Sequence, residues 1–148
     1  MQSGKSLFFA EGLPQEKRKI NNNMYEATVR RSFSAAHFLK EIGGKCEKLH
    51  GHNFIIEISV ASSTLNSEGL VIDFRTVKNW TDQALAELDH SCLNDLPAFR
   101  DKNPSAENIA HYIFECIEEK AAGGVRVTRV TVWESKNAKV TYTGTDHA

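Results

Sequence analysis

Gly43-Gly44-Lys45-Cys46-Glu47-Lys48-Leu49-His50-Gly51-His52-Asn53-Phe54 places one cysteine and two histidines within seven residues. A strand through His50-Gly51-His52 turns both imidazoles to the same face, because strand side chains alternate with period two. Gly51 between them adds no bulk on the opposite face and lets backbone or ligand come close. Onward, positions 50, 52, 54, 56, 58 and 60 are His, His, Phe, Ile, Ile and Val, while 53, 57 and 59 are Asn, Glu and Ser. The spacing predicts a strand with one buried face and both histidines at its entrance.

The same period runs upstream. Tyr25, Ala27, Val29, Arg31, Phe33, Ala35 and His37 alternate with Glu26, Thr28, Arg30, Ser32, Ser34 and Ala36. Apart from Arg31 the first set is apolar, and it ends in His37. Antiparallel pairing through a loop at about 38–48 brings His37 beside His50 and His52. Three neutral imidazoles with an open fourth position are the ligand set of a catalytic zinc, whereas structural zinc is usually closed by four protein ligands with more thiolate. On spacing alone, core histidines and a chance His-x-His remain the alternative. Cys46 stays open between a fourth ligand, a small buried hydrophobe and a nucleophile or base. Lys45 and Lys48 would favour a thiolate if they approach it.

A chain of 148 residues fits one domain with a real core, short enough that an oligomer can complete its burial. With 25% charged residues and a formal net charge of −1, nothing calls for nucleic acid or an anionic membrane. Cys46, Cys92 and Cys116 are too few and too spread for a disulfide framework, which points to a reducing, cytoplasmic setting. No segment approaches the roughly 18 apolar residues of a membrane span. Leu7-Phe8-Phe9-Ala10 is too short for a signal-peptide core and precedes the charged Glu16-Lys17-Arg18-Lys19. Residues 1–23 therefore read as a loosely held extension ending in Asn21-Asn22-Asn23, and 24–148 as the domain.

After the second strand, Asp73 can cap a helix reaching about Leu88, with Val77, Thr81, Ala84, Leu85 and Leu88 as its apolar stripe. Asp89-His90 follows. It is either a carboxylate-charged proton shuttle or a polar helix end. Ser105 is an N-cap for a second helix reaching about Ala122, with Ile109, Tyr112, Ile113, Cys116 and Ile117 on one face and Gly123-Gly124 as the stop. Glu107 in its first turn suits the helix dipole. Val125 to Trp133 and Ala138 to Thr143 read as two more strands around a Lys136-Asn137 turn. Glu134, at the end of the first of these, could bind the N–H edge of a heterocycle through a two-point pair or stand solvated. The order is β-β-α-α-β-β, an α+β fold with an antiparallel sheet and both helices on one face. Its edge strands need protection, and joining them between subunits is one solution.

Six ordered motifs carry a family resemblance: Phe33-Ser-Ala-Ala-His37, Cys46-x-x-x-His50-Gly-His52, Gly69-Leu-Val-Ile-Asp-Phe74, Leu88-Asp-His90 with Leu93-Asn-Asp95, Asn103-Pro-Ser-Ala-Glu107-Asn108, and Trp133-Glu134-Ser135. From about Tyr25 to Thr145 the chain resembles the 6-pyruvoyl- and 6-carboxy-tetrahydropterin synthases, which share the tunnelling or T-fold. The resemblance implies that His37, His50 and His52 hold zinc. It further implies that Cys46, Asp89 and His90 form the proton-transfer group, with Cys46 at or near a neighbouring subunit's surface. Glu134 would anchor the pterin's 2-amino and N3 edge, with Ser105 and Glu107 lining the pocket. It implies a homohexamer, a dimer of trimers, with sites between subunits and 7,8-dihydroneopterin triphosphate as substrate.

Three residues between Cys46 and His50 resemble the bacterial 6-carboxy-tetrahydropterin synthases of queuosine biosynthesis, which lose triphosphate and acetaldehyde. Glu47 complicates this. Cys-Glu-x-x-His-Gly-His resembles a dual-function branch that also makes 6-hydroxymethyl-7,8-dihydropterin for folate, with the glutamate as a second base. An ordinary loop charge is the plain alternative for Glu47. Three further readings stay in view, namely 6-pyruvoyl-tetrahydropterin synthase activity, a metal-free aldolase on the same fold, and a non-enzymatic module with Cys46, His50 and His52 as structural zinc ligands.

Overall fold

β1 (Tyr25–His37) and β2 (His50–Ser62) pair antiparallel from end to end, with Tyr25 opposite Ser62 and His37 opposite His50. In the computed structural model, which describes residues 23–145, the chain continues as α1 (Phe74–Leu85), β3 (Ser91–Cys92), α2 (Ala106–Glu118), β4 (Arg126–Ser135) and β5 (Ala138–Tyr142). The strands form one sheet in the order β3-β1-β2-β4-β5. All neighbours are antiparallel except β3, which runs parallel to β1 through Ala35–Ser91 and Ala36–Cys92. Two residues show no alternation, so this fifth strand left no trace in the sequence pattern. It gives Cys92 its place beside the end of β1.

α1 packs on β1, and α2 on β4 and β5. One core joins the layers. Val29 and Phe33 of β1, Phe54, Ile56, Ile58 and Val60 of β2, and Val130 and Val132 of β4 meet Val77 and Leu85 of α1 and Ile109, Ile113 and Ile117 of α2. Arg31, the exception on the apolar face of β1, donates from its guanidinium to Asp82 Oδ2 of α1 at 3.0 Å, so the charge is paired at the rim of the core.

Both helices begin where side-chain caps allow. Asp73 accepts from the Arg75 N–H at 2.8 Å, and Ser105 from the Asn108 N–H at 3.2 Å. Both end sooner than the sequence suggests, at Leu85 rather than about Leu88 and at Glu118 rather than about Ala122. The N–H groups of Leu88 and Asp89 return to the Leu85 carbonyl, a tightened last turn that still buries Leu88. The expected extension over residues 1–23 lies, except for Asn23, outside the described residues. Among the described residues no helix is long and apolar enough to cross a membrane.

Candidate active site

Register alone assembles the first part of the site. His37 stands opposite His50, and His52 opposite Ala35 one step along the same buried face. The three ring centroids are 4.7, 4.8 and 5.2 Å apart, and one nitrogen from each ring lies within 4.8 Å of the others. Phe54, two residues beyond His52, forms the floor, with its ring 5.6 Å from His37 and 5.4 Å from His52 and stacked at 4.9 Å on Phe33. The group is thus continuous with the core.

Hydrogen bonds set the tautomers. His37 Nδ1 meets the Pro104 carbonyl at 2.7 Å, and His50 Nδ1 meets the Lys48 carbonyl at 2.6 Å. A carbonyl oxygen can only accept, so each Nδ1 carries the proton and each Nε2 is left with a lone pair directed into the cluster. His37 is fully buried, and its Nε2 has no hydrogen-bond partner. An unmet buried polar atom costs on the order of 1–3 kcal/mol, which coordination of a cation would recover. Burial lowers the His52 pKa, with the other two imidazoles adding to the shift and the Glu134 carboxylate opposing it. The His52 ring is therefore predisposed to the neutral form that binds metal. The donor set and its outer carbonyls fit a zinc ion with an open coordination position.

Glu134 is not a solvated strand end. Its Oε1 lies 3.4 Å from His37 Nε2 and 3.7 Å from His52 Nε2, with the side chain about one third exposed. Asp89 and His90 make the contact that neighbours in sequence rarely make. His90 has a left-handed backbone (φ 57°), and its N–H donates to the Ser34 carbonyl at 2.6 Å. This turn brings His90 Nδ1 to 3.0 Å from Asp89 Oδ2, while Asp89 Oδ1 accepts from the Ser34 N–H at 2.9 Å. The Ser34 amide, with His90 beside it, holds the Asp89 carboxyl below its usual pKa. His90 and His52 line one open cavity of about 530 Å³ with Gly51, Asn53 and Cys92. A larger cavity of about 640 Å³, lined by His111, Phe114, Tyr142 and Arg126, lies toward the other end of the sheet and holds none of the candidate residues.

The loop residues stand apart from the imidazoles. Cys46 is exposed in a short 3-10 turn (Gly44–Glu47), outside the histidine group, so the set Cys46, His50 and His52 is not the one assembled here. Glu47 accepts from the Gly43 N–H at 3.0 Å and closes that turn. Ser105 spends its hydroxyl on the cap. Glu107 is exposed, and among the described residues it makes no hydrogen bond or ion pair with the cluster. Sequence reading missed the carbonyls of Lys48 and Pro104 and the amide of Ser34, since backbone groups carry no residue signature.

The model of the family described as 6-pyruvoyl tetrahydropterin synthase matches residues 26–145. This chain belongs to that family. It is 39% identical over 105 residues to dihydroneopterin monophosphate aldolase of Pyrococcus furiosus, covering 71% of this chain and 85% of that protein. It is 30% identical over 132 residues to 6-carboxy-5,6,7,8-tetrahydropterin synthase of Aquifex aeolicus, covering 72% and 82%. Among solved structures, Caenorhabditis elegans 6-pyruvoyl tetrahydropterin synthase superposes with a TM-score of 0.75 at 26% identity, covering 83% of this chain and 97% of that one. The Plasmodium vivax synthase has been solved with a catalytic glutamate replaced by alanine, and it superposes with a TM-score of 0.65 at 25% identity, covering 81% and 97%. The fold is the T-fold of these synthases, and the family supports an enzyme of the lyase type acting on a small pterin.

Proposed function

We propose that this protein is a zinc-dependent 6-carboxy-5,6,7,8-tetrahydropterin synthase that converts 7,8-dihydroneopterin triphosphate with loss of triphosphate and acetaldehyde. The observation that carries the reading is the convergence of three imidazoles, two of them locked by carbonyls with Nε2 facing inward. His37, His50 and His52 hold the ion, which when bound supplies a Lewis acid and a template for the substrate's side-chain hydroxyls. Cys46 takes a proton from that side chain. His90, oriented by the Asp89 carboxylate, returns protons elsewhere on the substrate. Glu134, at the rim of the cluster, accepts the two N–H groups of the pterin edge as a bidentate pair, and Ser105 and Glu107 line the approach.

The assembly in this proposal is a cytoplasmic homohexamer, a dimer of trimers. Its support is the sheet's open edges, because β3 covers only two residues of β1 and β5 has no partner beyond it within the described chain. The pathway is queuosine synthesis.

A second reading has its own support. Glu47 lies beside Cys46, a relative at 39% identity is an aldolase, and the Plasmodium synthase uses a catalytic glutamate. On that reading Glu47 is a second base and 6-hydroxymethyl-7,8-dihydropterin is also formed. Incubation of zinc-loaded protein with 7,8-dihydroneopterin triphosphate, with products identified by mass spectrometry, decides between them. The first reading requires 6-carboxy-tetrahydropterin as the sole pterin product. A hydroxymethyl product that vanishes in Glu47→Gln establishes the second, and no turnover of the triphosphate overturns both.

A further inference from the structure

Past the end of β1 the chain is held along both edges. On one edge the Phe38 N–H donates to Asn94 Oδ1 and Asn94 Nδ2 donates back to the Phe38 carbonyl, both at 2.9 Å. Two residues on, the Lys40 N–H donates to Asn103 Oδ1 at 2.8 Å and Asn103 Nδ2 donates to the Lys40 carbonyl at 3.0 Å. The opposite edge belongs to Leu39, whose N–H donates to the Cys46 carbonyl at 2.7 Å. A carboxamide offers one acceptor and two donors in the geometry of a peptide group. The two asparagines therefore act as a substitute strand, pairing with alternate residues as a neighbouring strand would.

Asn103 is itself anchored. Asn108 Nδ2 donates to the Asn103 carbonyl at 2.8 Å, and the next residue, Pro104, holds His37 Nδ1. One short stretch ahead of α2 thus fixes both an imidazole of the cluster and the backbone that carries Cys46. Little else does so for Cys46. Residues 40–49 are exposed throughout, and Gly43 and Gly44 have open space where a side chain would be.

We propose that Asn94 and Asn103 are positioning residues, clamping Phe38 and Lys40 so that the Leu39–Cys46 bond holds the Cys46 loop in register with His37. The catalytic purpose of the clamp rests on the reading of Cys46 as the group that takes the substrate's proton, but the clamp itself does not. A misplacement of about 1 Å at a reacting group costs on the order of 100-fold in rate. Asn103→Ala and Asn94→Ala remove both bonds of a pair, and the shape-preserving Asn103→Asp keeps the acceptor while turning a second oxygen on the Lys40 carbonyl.

The test combines amide hydrogen exchange, zinc content, melting temperature and steady-state turnover of 7,8-dihydroneopterin triphosphate. Leu39 amide exchange should accelerate by at least about tenfold while Ile56 and Ile58 stay protected, because only the clamp has opened. With zinc content unchanged, kcat should fall about 10- to 100-fold with KM within about twofold. In a Cys46→Ala background the same asparagine changes should alter the residual rate by less than about twofold, since the group they position is gone. An equal loss in both backgrounds makes the asparagines merely structural, and unchanged Leu39 exchange overturns the clamp. Full activity in Cys46→Ala removes the catalytic purpose and the underlying reading of Cys46, while Leu39 exchange still decides whether the clamp exists.

Discussion

His37 is the most constrained titratable side chain in the site, with its Nδ1 on the Pro104 carbonyl, its Nε2 unmet and its ring sealed from solvent. Loss of an outer-shell partner in a metal site typically costs about 10–100-fold in affinity, so loss of the ligand itself in His37→Ala should exceed that. Competition with a chromophoric chelator measures it. Asp89 gives a pH signature. Its folded pKa lies below the ordinary 3.8, so its contribution is fully present above that value and is lost as pH falls through the folded pKa. The stability gap between wild type and Asp89→Asn should therefore be constant at neutral pH and close only below about pH 3.8, as read by denaturant melts. The three histidines were legible because period two carries them to one face. The His90 turn was not, since a left-handed residue other than glycine leaves no mark in the sequence.

Among the elements, α2 ties the core to the site, because its cap begins one residue after Pro104. Ser105→Ala removes the cap bond and should destabilise by about 1 kcal/mol. Ile113→Ala, at a fully buried position, should cost about 2–5 kcal/mol without altering zinc affinity. Denaturant unfolding checks both. Apolar stripes located the helices and strands because burial imposes their periods, but stripes do not specify where the last turn tightens. Leu88 shows the difficulty, since it completes the stripe of α1 while its backbone has already left the helix. A two-residue strand such as β3 follows from tertiary pairing with Ala35 and Ala36, which no local pattern encodes.

For the molecule as a whole, the core is built from apolar side chains of β1, β2, β4, α1 and α2, none of them a candidate metal ligand. Removal of zinc by a chelator should therefore leave the far-ultraviolet circular dichroism and the cooperative melt in place while abolishing turnover. Unfolding on chelation would instead favour the structural-zinc module. Sedimentation should give a six-chain species, and a stable monomer would overturn the proposed assembly.

Phe54 separates two kinds of freedom. The imidazoles stand on a ring that is itself a core residue, so their spacing shares the stiffness of the interior, while the thiol and its neighbouring carboxylate ride on an exposed connection. A platform of imidazoles that cannot drift leaves the loop free to change in length and acidity. On the proposed function, such a change redirects proton removal from the substrate while the histidines stay where they are.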